Sequence, residues 1–261
     1  MIDERAIVDS SVVVGENVSI GPWTIIGPNV VLGDNVQIAS SVVVKGPCQI
    51  GAGAKIYQFA TVGEDTPALA YAGEFSELTI GANTIIREGV TIHRGMAAGG
   101  ISKTVVGENC LLMAYVHIGH DCIVGDNVIM ANNASLAGHV VVGDYANFGG
   151  YAGIPQFRQI GAHTHIAGMS LVTKDVPAFM TVAGNPANAI GLNLEGINRR
   201  GFSDEAIQAV KAAYRVVYRS GKKLQEAIVE LDYSRKLHPE VDVFVKSLES
   251  SDKGIIRGKG E

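Results

Sequence analysis

The sequence predicts a mainly β protein, a left-handed parallel β-helix of hexapeptide repeats with a C-terminal α-helical cap. Three patterns predict it: an aliphatic residue at every sixth position, glycine and small residues at fixed offsets from it, and helical spacing near the C-terminus. Stepping by six from Ile2 meets Val8, Val14, Ile20 and Ile26 and continues without a gap to Val62. The register returns at Ile80, Ile86 and Ile92, and again from Val106 through Ile118, Val124, Leu136, Ile154 and Ile166 to Val172. Each hexad fits one flat strand plus a corner, three hexads close a triangular coil of 18 residues, and the run makes about nine coils. Stacked coils place like side chains about 4.8 Å apart, the spacing of neighbouring strands, so the aliphatics form one continuous core. Glycine often follows the aliphatic, as at Gly21, Gly33, Gly107 and Gly125, where a Cβ would be costly. Four residues after the aliphatic comes a small or β-branched residue, such as Val18, Thr24, Ala54 or Ala60. Cys48, Cys110 and Cys122 share that inward offset, which makes them core filler instead of nucleophiles. None lies in a CxxC motif, and no disulfide framework is expected.

Two stretches, 63–79 and 93–105, break the register inside the β-helix domain of residues 1–185, and both predict excursions from a coil edge. Long ordered loops on a rigid solenoid commonly carry function, and tolerated surface insertion is the bland alternative. Residues 186–261 form the predicted helical domain. Ser203 reads as an N-cap before Asp204 and Glu205, apolar residues recur from Ile207 to Tyr218, and Gly221 stops the run. The spans 224–231 and 241–248 predict two further helices, separated at His238-Pro239.

Composition narrows the class. Hydrophobic content of 47%, only 6% aromatic residues and 32 glycines suit tight turns around a thin aliphatic core. No run of about 18 apolar residues occurs, so no transmembrane segment is expected. The start Met1-Ile2-Asp3-Glu4-Arg5 carries no basic-then-apolar signal, which predicts a cytoplasmic protein. A net charge of −5 argues against general nucleic-acid binding. The tail is nevertheless basic, with Arg199, Arg200, Lys211, Arg215, Arg219, Lys222 and Lys223, which suits either an acidic partner or a solvated helix face.

Coil geometry sorts the seven histidines. Residues 18 apart stack, so His120, Gly138 and Gln156 form one column and Asp121, His139 and Phe157 its neighbour, with His117 near the same edge. Acyl transfer to a hydroxyl needs a base, oxyanion donors and a placed thioester. His120 suits the base, Asp121 its orienting carboxylate, and the Gly138 N–H an oxyanion donor. On spacing alone, two other readings stay open: surface histidines without a role, and a metal cluster.

Specific stretches then resemble a known family over nearly the whole chain: Ile56 to Ala60, Ile86 to Gly95, His117-Ile-Gly-His-Asp121, Leu136 to Val140, and Asn193 to Ser203. The sequence resembles bacterial UDP-N-acetylglucosamine acyltransferases, which begin lipid A synthesis by placing a 3-hydroxyacyl group on the sugar 3-OH. The resemblance implies that His120 is the general base, Asp121 its support and the Gly138 amide the oxyanion donor. It implies that His93, His117, His139, Gln156, Asn193, Glu195 and Arg200 contact or lie near the nucleotide sugar. Gly168 falls at a position associated with acyl-chain length. Arg199 and Arg200, with Lys211 and Arg215 of the cap, would receive an acyl carrier protein. The family pattern is a homotrimer with sites between neighbouring β-helices, no metal, and no cofactor beyond the carrier's phosphopantetheine.

The chain departs from that pattern in two places. Ala68 and Ala70 stand where an Asp and a Lys are usual, and Pro155 stands where a His usually precedes the Gln-Phe pair. These replacements remove a charge and a ring expected near the substrates. Competing readings are the related N-acyltransferase, which needs a preceding nucleotide-binding domain, and an acetyl-coenzyme A hexapeptide transferase, which lacks the Arg-Arg-Gly-Phe junction. Others are a β-helical zinc carbonic anhydrase, a silent paralogue acting as a binding module, and a transferase acting on the 3-amino analogue of the sugar.

Overall fold

A computed structural model describes residues 1–258. Among the described residues, twenty-six strands, most of two residues, lie in three sheets of eight, eight and ten. Face I starts at Ile7–Val8, face II at Val13–Val14 and face III at Ser19–Ile20, and the chain visits them in that rotation. Pairing is parallel and in register from coil to coil, as in Ile7↔Ile25 and His117↔Ser135. The architecture is the left-handed β-helix that the hexads predict.

The hexad aliphatics from Ile20 to Val172 are buried, and so, apart from Arg158, are the residues four positions on, including Thr24, Ala54 and Ala60. Ile2 and Val14 are 46% and 39% exposed, because the first coil has no coil beneath it. All three cysteines are buried, and burial pushes the thiols of Cys48, Cys110 and Cys122 up to about 12, 11 and 12, which removes them as thiolate nucleophiles.

The glycine after the aliphatic and the left-handed turn of the corner prove to be separate requirements. A Cβ on Gly21 would lie 2.8 Å from backbone of the next coil, so glycine is needed there for close approach. Positive φ falls two residues later, on Asn17, Asn35, Tyr115, Asp121, His139 and His163 among others. Side chains are therefore carried outward at the left-handed corner itself, at the usual cost of that conformation.

The two excursions are shorter than the register break predicts. Strands Thr61–Glu64, Glu77–Ile80, Thr91–His93 and Lys103–Val106 take up their ends, leaving loops 65–76 and 94–102. Both leave from the corner between faces I and II.

The sheet also runs past residue 185. Strands Met180–Gly184 and Ala187–Leu192 form an antiparallel hairpin that closes face III, because the turn at Asn185-Pro186 reverses the chain where the hexads end. Helices α1 (Leu194–Arg199), α2 (Asp204–Tyr218), α3 (Leu224–Leu237) and α4 (Pro239–Glu249) follow. Ser203 caps α2 by accepting from the Ala206 N–H at 3.1 Å. The cap shares one apolar core with the prism, and the returning segment pairs Ile255 with Asp175.

Candidate active site

The corner between faces I and II gathers most of the sequence-predicted residues. His120 and Asp121 sit there on consecutive positions, 6% and 3% exposed. His120 Nδ1 lies 2.8 Å from Asp121 Oδ2. A carboxylate only accepts, so Nδ1 carries the proton and Nε2 is left with its lone pair. Asp121 accepts further N–H bonds from Ile101 at 2.8 Å and Met96 at 3.2 Å, and its own N–H donates to Thr104 Oγ1 at 2.9 Å. The pair is thus the oriented imidazole–carboxylate arrangement of a general base.

One coil on, Gly138 lies against the imidazole. A Cβ there would fall 2.5 Å from His120 Nε2, so only glycine admits the ring. The Gly138 N–H has no acceptor among the described residues. At the same hexad offset, the amides of Glu16, Glu108 and Asp126 donate to carboxylate oxygens at 2.7, 2.7 and 2.9 Å. An amide in this register therefore presents itself to an anionic oxygen.

The neighbouring rings extend the surface. His139 packs edge-on to His120 with centroids 4.8 Å apart and stacks on Phe157 at 4.5 Å. His117 bonds Thr91 Oγ1 at 2.8 Å and meets His93 edge-on at 5.4 Å. The His93 ring donates from Nδ1 to Asp65 O at 2.7 Å. Burial, then the His93 and His120 charges, holds His117 below the usual imidazole range; burial does the same for His139. Both stay neutral beside His120 near pH 7. Gln156 is exposed next to Pro155, which offers neither ring nor donor, and Ala70 is exposed on loop 65–76.

His120, Asp121 and His139 also bring three potential metal-ligating atoms within 4.8 Å of one another. The Asp121 side chain is fully buried and already takes three donors, so an ion there would displace the bonds that hold it.

A second group lies at the corner between faces II and III. Tyr145, His163 and Phe179 stack in parallel at 5.0 and 5.1 Å, with Phe202 edge-on to His163. Arg200 spans this stack: its guanidinium lies 5.2 Å over Tyr145 and donates to Tyr145 O at 2.7 Å, while Nη1 is buried without a partner. Asn193 caps α1 and donates to His163 O at 3.0 Å. Asn193, Glu195, Arg199 and Arg200 line a cavity of about 500 Å³ with His165 and Asn147. The two arginines differ in setting. Arg200 is half-buried and turns back onto the prism, while Arg199 stays exposed and pairs with Glu195 at 2.5 Å. Lys211 is half-buried and Arg215 exposed on α2. Gly168 is exposed at the corner between faces III and I, across face I from His120. One chain therefore does not bring the three groups together.

Sequence reasoning missed the Tyr145–His163–Phe179 stack and the loop amides on Asp121. The first had a partial signal, Tyr145 and His163 spaced by one 18-residue coil, while Phe179 follows by only 16. The second had a weaker one, glycines packed into loop 94–102.

A stacked-coil prism with a histidine–carboxylate pair at one corner defines a hexapeptide-repeat transferase, and residues 29–64 and 103–138 match the family described as bacterial transferase hexapeptide (six repeats). Residues 175–256 match the family described as UDP N-acetylglucosamine O-acyltransferase, domain 2. The chain is 50% identical over 213 residues, 82% of each chain, to acyl-[acyl-carrier-protein]–UDP-N-acetylglucosamine O-acyltransferase of Stutzerimonas stutzeri. Among solved structures, UDP-N-acetylglucosamine acyltransferase of Francisella novicida is 39% identical with a TM-score of 0.97, over 100% of this chain and 95% of that one. The Moraxella catarrhalis O-acyltransferase is 41% identical with a TM-score of 0.96, over 98% and 99%. The chain belongs to the UDP-N-acetylglucosamine O-acyltransferase family.

Proposed function

We propose that this protein transfers a 3-hydroxyacyl group from acyl carrier protein to the 3-hydroxyl of UDP-N-acetylglucosamine, opening lipid A synthesis in the cytoplasm. The observation that carries this reading is the His120 Nε2 lone pair held over Gly138, beside an amide free to receive an oxyanion. Nε2 takes the hydroxyl proton as the sugar oxygen attacks the thioester carbonyl. The carbonyl oxygen gains charge and accepts from the Gly138 N–H. The tetrahedral centre then expels the phosphopantetheine thiolate, which receives the proton from the imidazolium. Asp121 stabilises that imidazolium through Nδ1–H. No metal or further cofactor enters these steps, and dialysis against a chelator should leave the rate unchanged. Stoichiometric zinc with loss of activity on chelation would favour a zinc hydratase instead.

His93, His117, His139 and Gln156 line the acceptor side of the base in this reading, and Asn193, Glu195 and Arg200 hold the nucleotide. These sets occupy different corners of one prism. We take the working form to be a homotrimer in which the His120 corner of one chain faces the Arg200 corner of the next. The acyl chain would run over face I toward Gly168, three coils on at about 4.8 Å each. Arg199, Lys211 and Arg215 would meet the carrier protein.

The test is a product assay with 3-hydroxyacyl carrier proteins of several lengths and UDP-N-acetylglucosamine. A UDP-3-O-acyl product that disappears with His120→Ala supports reaction and base together. No product from any donor, with turnover of the 3-amino analogue, would move the acceptor; no product with either sugar would make this a silent binding module.

A further inference from the structure

The Asp121 carboxylate is held by a loop, and that loop is held in turn from its far side. Of the three donors on Asp121, two are the N–H groups of Met96 and Ile101, which bracket the turn of loop 94–102. A Cβ on Gly100 would lie 2.5 Å from both Asp121 oxygens, so the loop is pressed against the carboxylate as closely as backbone allows. The residues between those amides, Ala97, Ala98, Gly99 and Gly100, carry no side chain able to anchor the loop. Their anchor comes from the other excursion. Glu74 Oε1 accepts from the Ala97 and Ala98 N–H groups at 3.1 and 3.5 Å, and Oε2 accepts from the Ala72 N–H at 2.8 Å. Tyr71 donates to the Glu74 carbonyl at 3.3 Å, and buried Arg94 ties the loop bases together through Gly63 O and Asp65. The N–H groups, that of Ala72 first, hold the Glu74 carboxyl below the usual carboxylate range, so it is ionised wherever the base works.

We propose that Glu74 is a positioning residue for this reaction, gripping loop 94–102 so that its Met96 and Ile101 amides fix Asp121 against His120. The proposal rests on the assignment of His120 as general base. Two carboxylates thus hold one loop from opposite sides. Asp121 faces the chemistry, and Glu74, on a separate excursion, sets where Asp121 stands. Because Glu74 acts through the loop and the loop through Asp121, its effect belongs to turnover and vanishes once Asp121 no longer needs positioning.

The experiment is a double-mutant cycle of Glu74→Ala and Asp121→Asn on the full chain, with His120→Ala as reference and thermal melting as the fold check. Glu74→Ala should lower kcat on the order of 10-fold with KM for the sugar nucleotide changed less than about twofold. In the Asp121→Asn background the same change should cost less than about twofold more. Proton NMR adds a direct readout: the downfield His120 Nδ1–H resonance should broaden in Glu74→Ala and persist in wild type. Multiplicative losses, a pure KM effect, or an unchanged Nδ1–H signal would overturn the proposal. Should Glu74→Ala fail to fold, Glu74→Gln is read in its place, with the same criteria. If His120→Ala retains wild-type rates, the underlying assignment fails; if His120→Ala is inactive and Glu74→Ala fully active, only the role of Glu74 does.

Discussion

At the scale of single residues, Gly138 makes the sharpest demand, because one methyl group would occupy the place of the His120 imidazole, the proposed base. Gly138→Ala should lower kcat by at least about 100-fold, since the ring must leave its position or the oxyanion amide must move, while the melting temperature stays within a few degrees. An active Gly138→Ala enzyme would show that His120 works from another rotamer. His163 offers a test on stability. Burial, then the Arg200 charge, lowers its value to about 4 from the ordinary 6.5. As pH falls from about 6.5 toward 4, the unfolded chain takes up a proton at this residue and the folded one does not, so stability declines across that window. Below it both states are protonated and the loss is complete. The half-exposed ring limits the effect to about 1–2 kcal/mol. His163→Phe, which preserves the stack, should flatten that part of a pH-dependent denaturation series; an unchanged slope would assign the acid sensitivity elsewhere. The His120–Gly138 juxtaposition was legible before any coordinates, because a strict 18-residue coil converts sequence distance into contact. His163 was not, because its role depends on Arg200, which arrives from beyond the repeat.

At the scale of elements, the corners and the cap divide the work between them. Arg199 and Arg200 are adjacent in sequence and different in setting, and in the proposed function they would serve different substrates. Arg199→Ala should raise KM for carrier-bound donor about 10-fold or less and leave the sugar nucleotide unaffected, since an exposed charge acts mainly on encounter. Arg200→Ala should do the reverse. Initial-rate kinetics with each substrate varied decides it, and equal losses for both variants would undo the division. The helices α2 to α4 were visible in the sequence because amphipathic spacing and the Ser203 cap are local signals. The hairpin Met180–Gly184 with Ala187–Leu192 was not, because it has no period six and pairs antiparallel. The loop boundaries were drawn too wide for a related reason: Glu77–Ile80 and Lys103–Val106 become strands by pairing with coils already formed, which composition does not reveal.

At the scale of the whole molecule, the proposed site, split between two corners, would require two chains. At sugar nucleotide well below its KM, mixing His120→Ala with Arg200→Ala subunits should give more activity than the two variants assayed separately, because some interfaces in the mixture keep both intact halves; no excess would place the complete site within one chain. Gly168→Met should shorten the preferred acyl donor, since the position is exposed and its φ permits a side chain, with a Cβ 3.2 Å from the Gly150 carbonyl. An unchanged donor profile would remove face I as the acyl path. The stacked coils impose a further condition, one of arithmetic. Every outward group on a column sits a whole number of steps from every other, at about 4.8 Å per step. An extra 18-residue turn spliced in below Ile38 would lift the upper prism intact and leave the distances above it unchanged. The same splice between His120 and Gly138 would part the base from the oxyanion amide by one full step, beyond the reach of any hydrogen bond. Such a scaffold can lengthen only in quanta, and a lineage built on it can insert turns below the site freely but never within it.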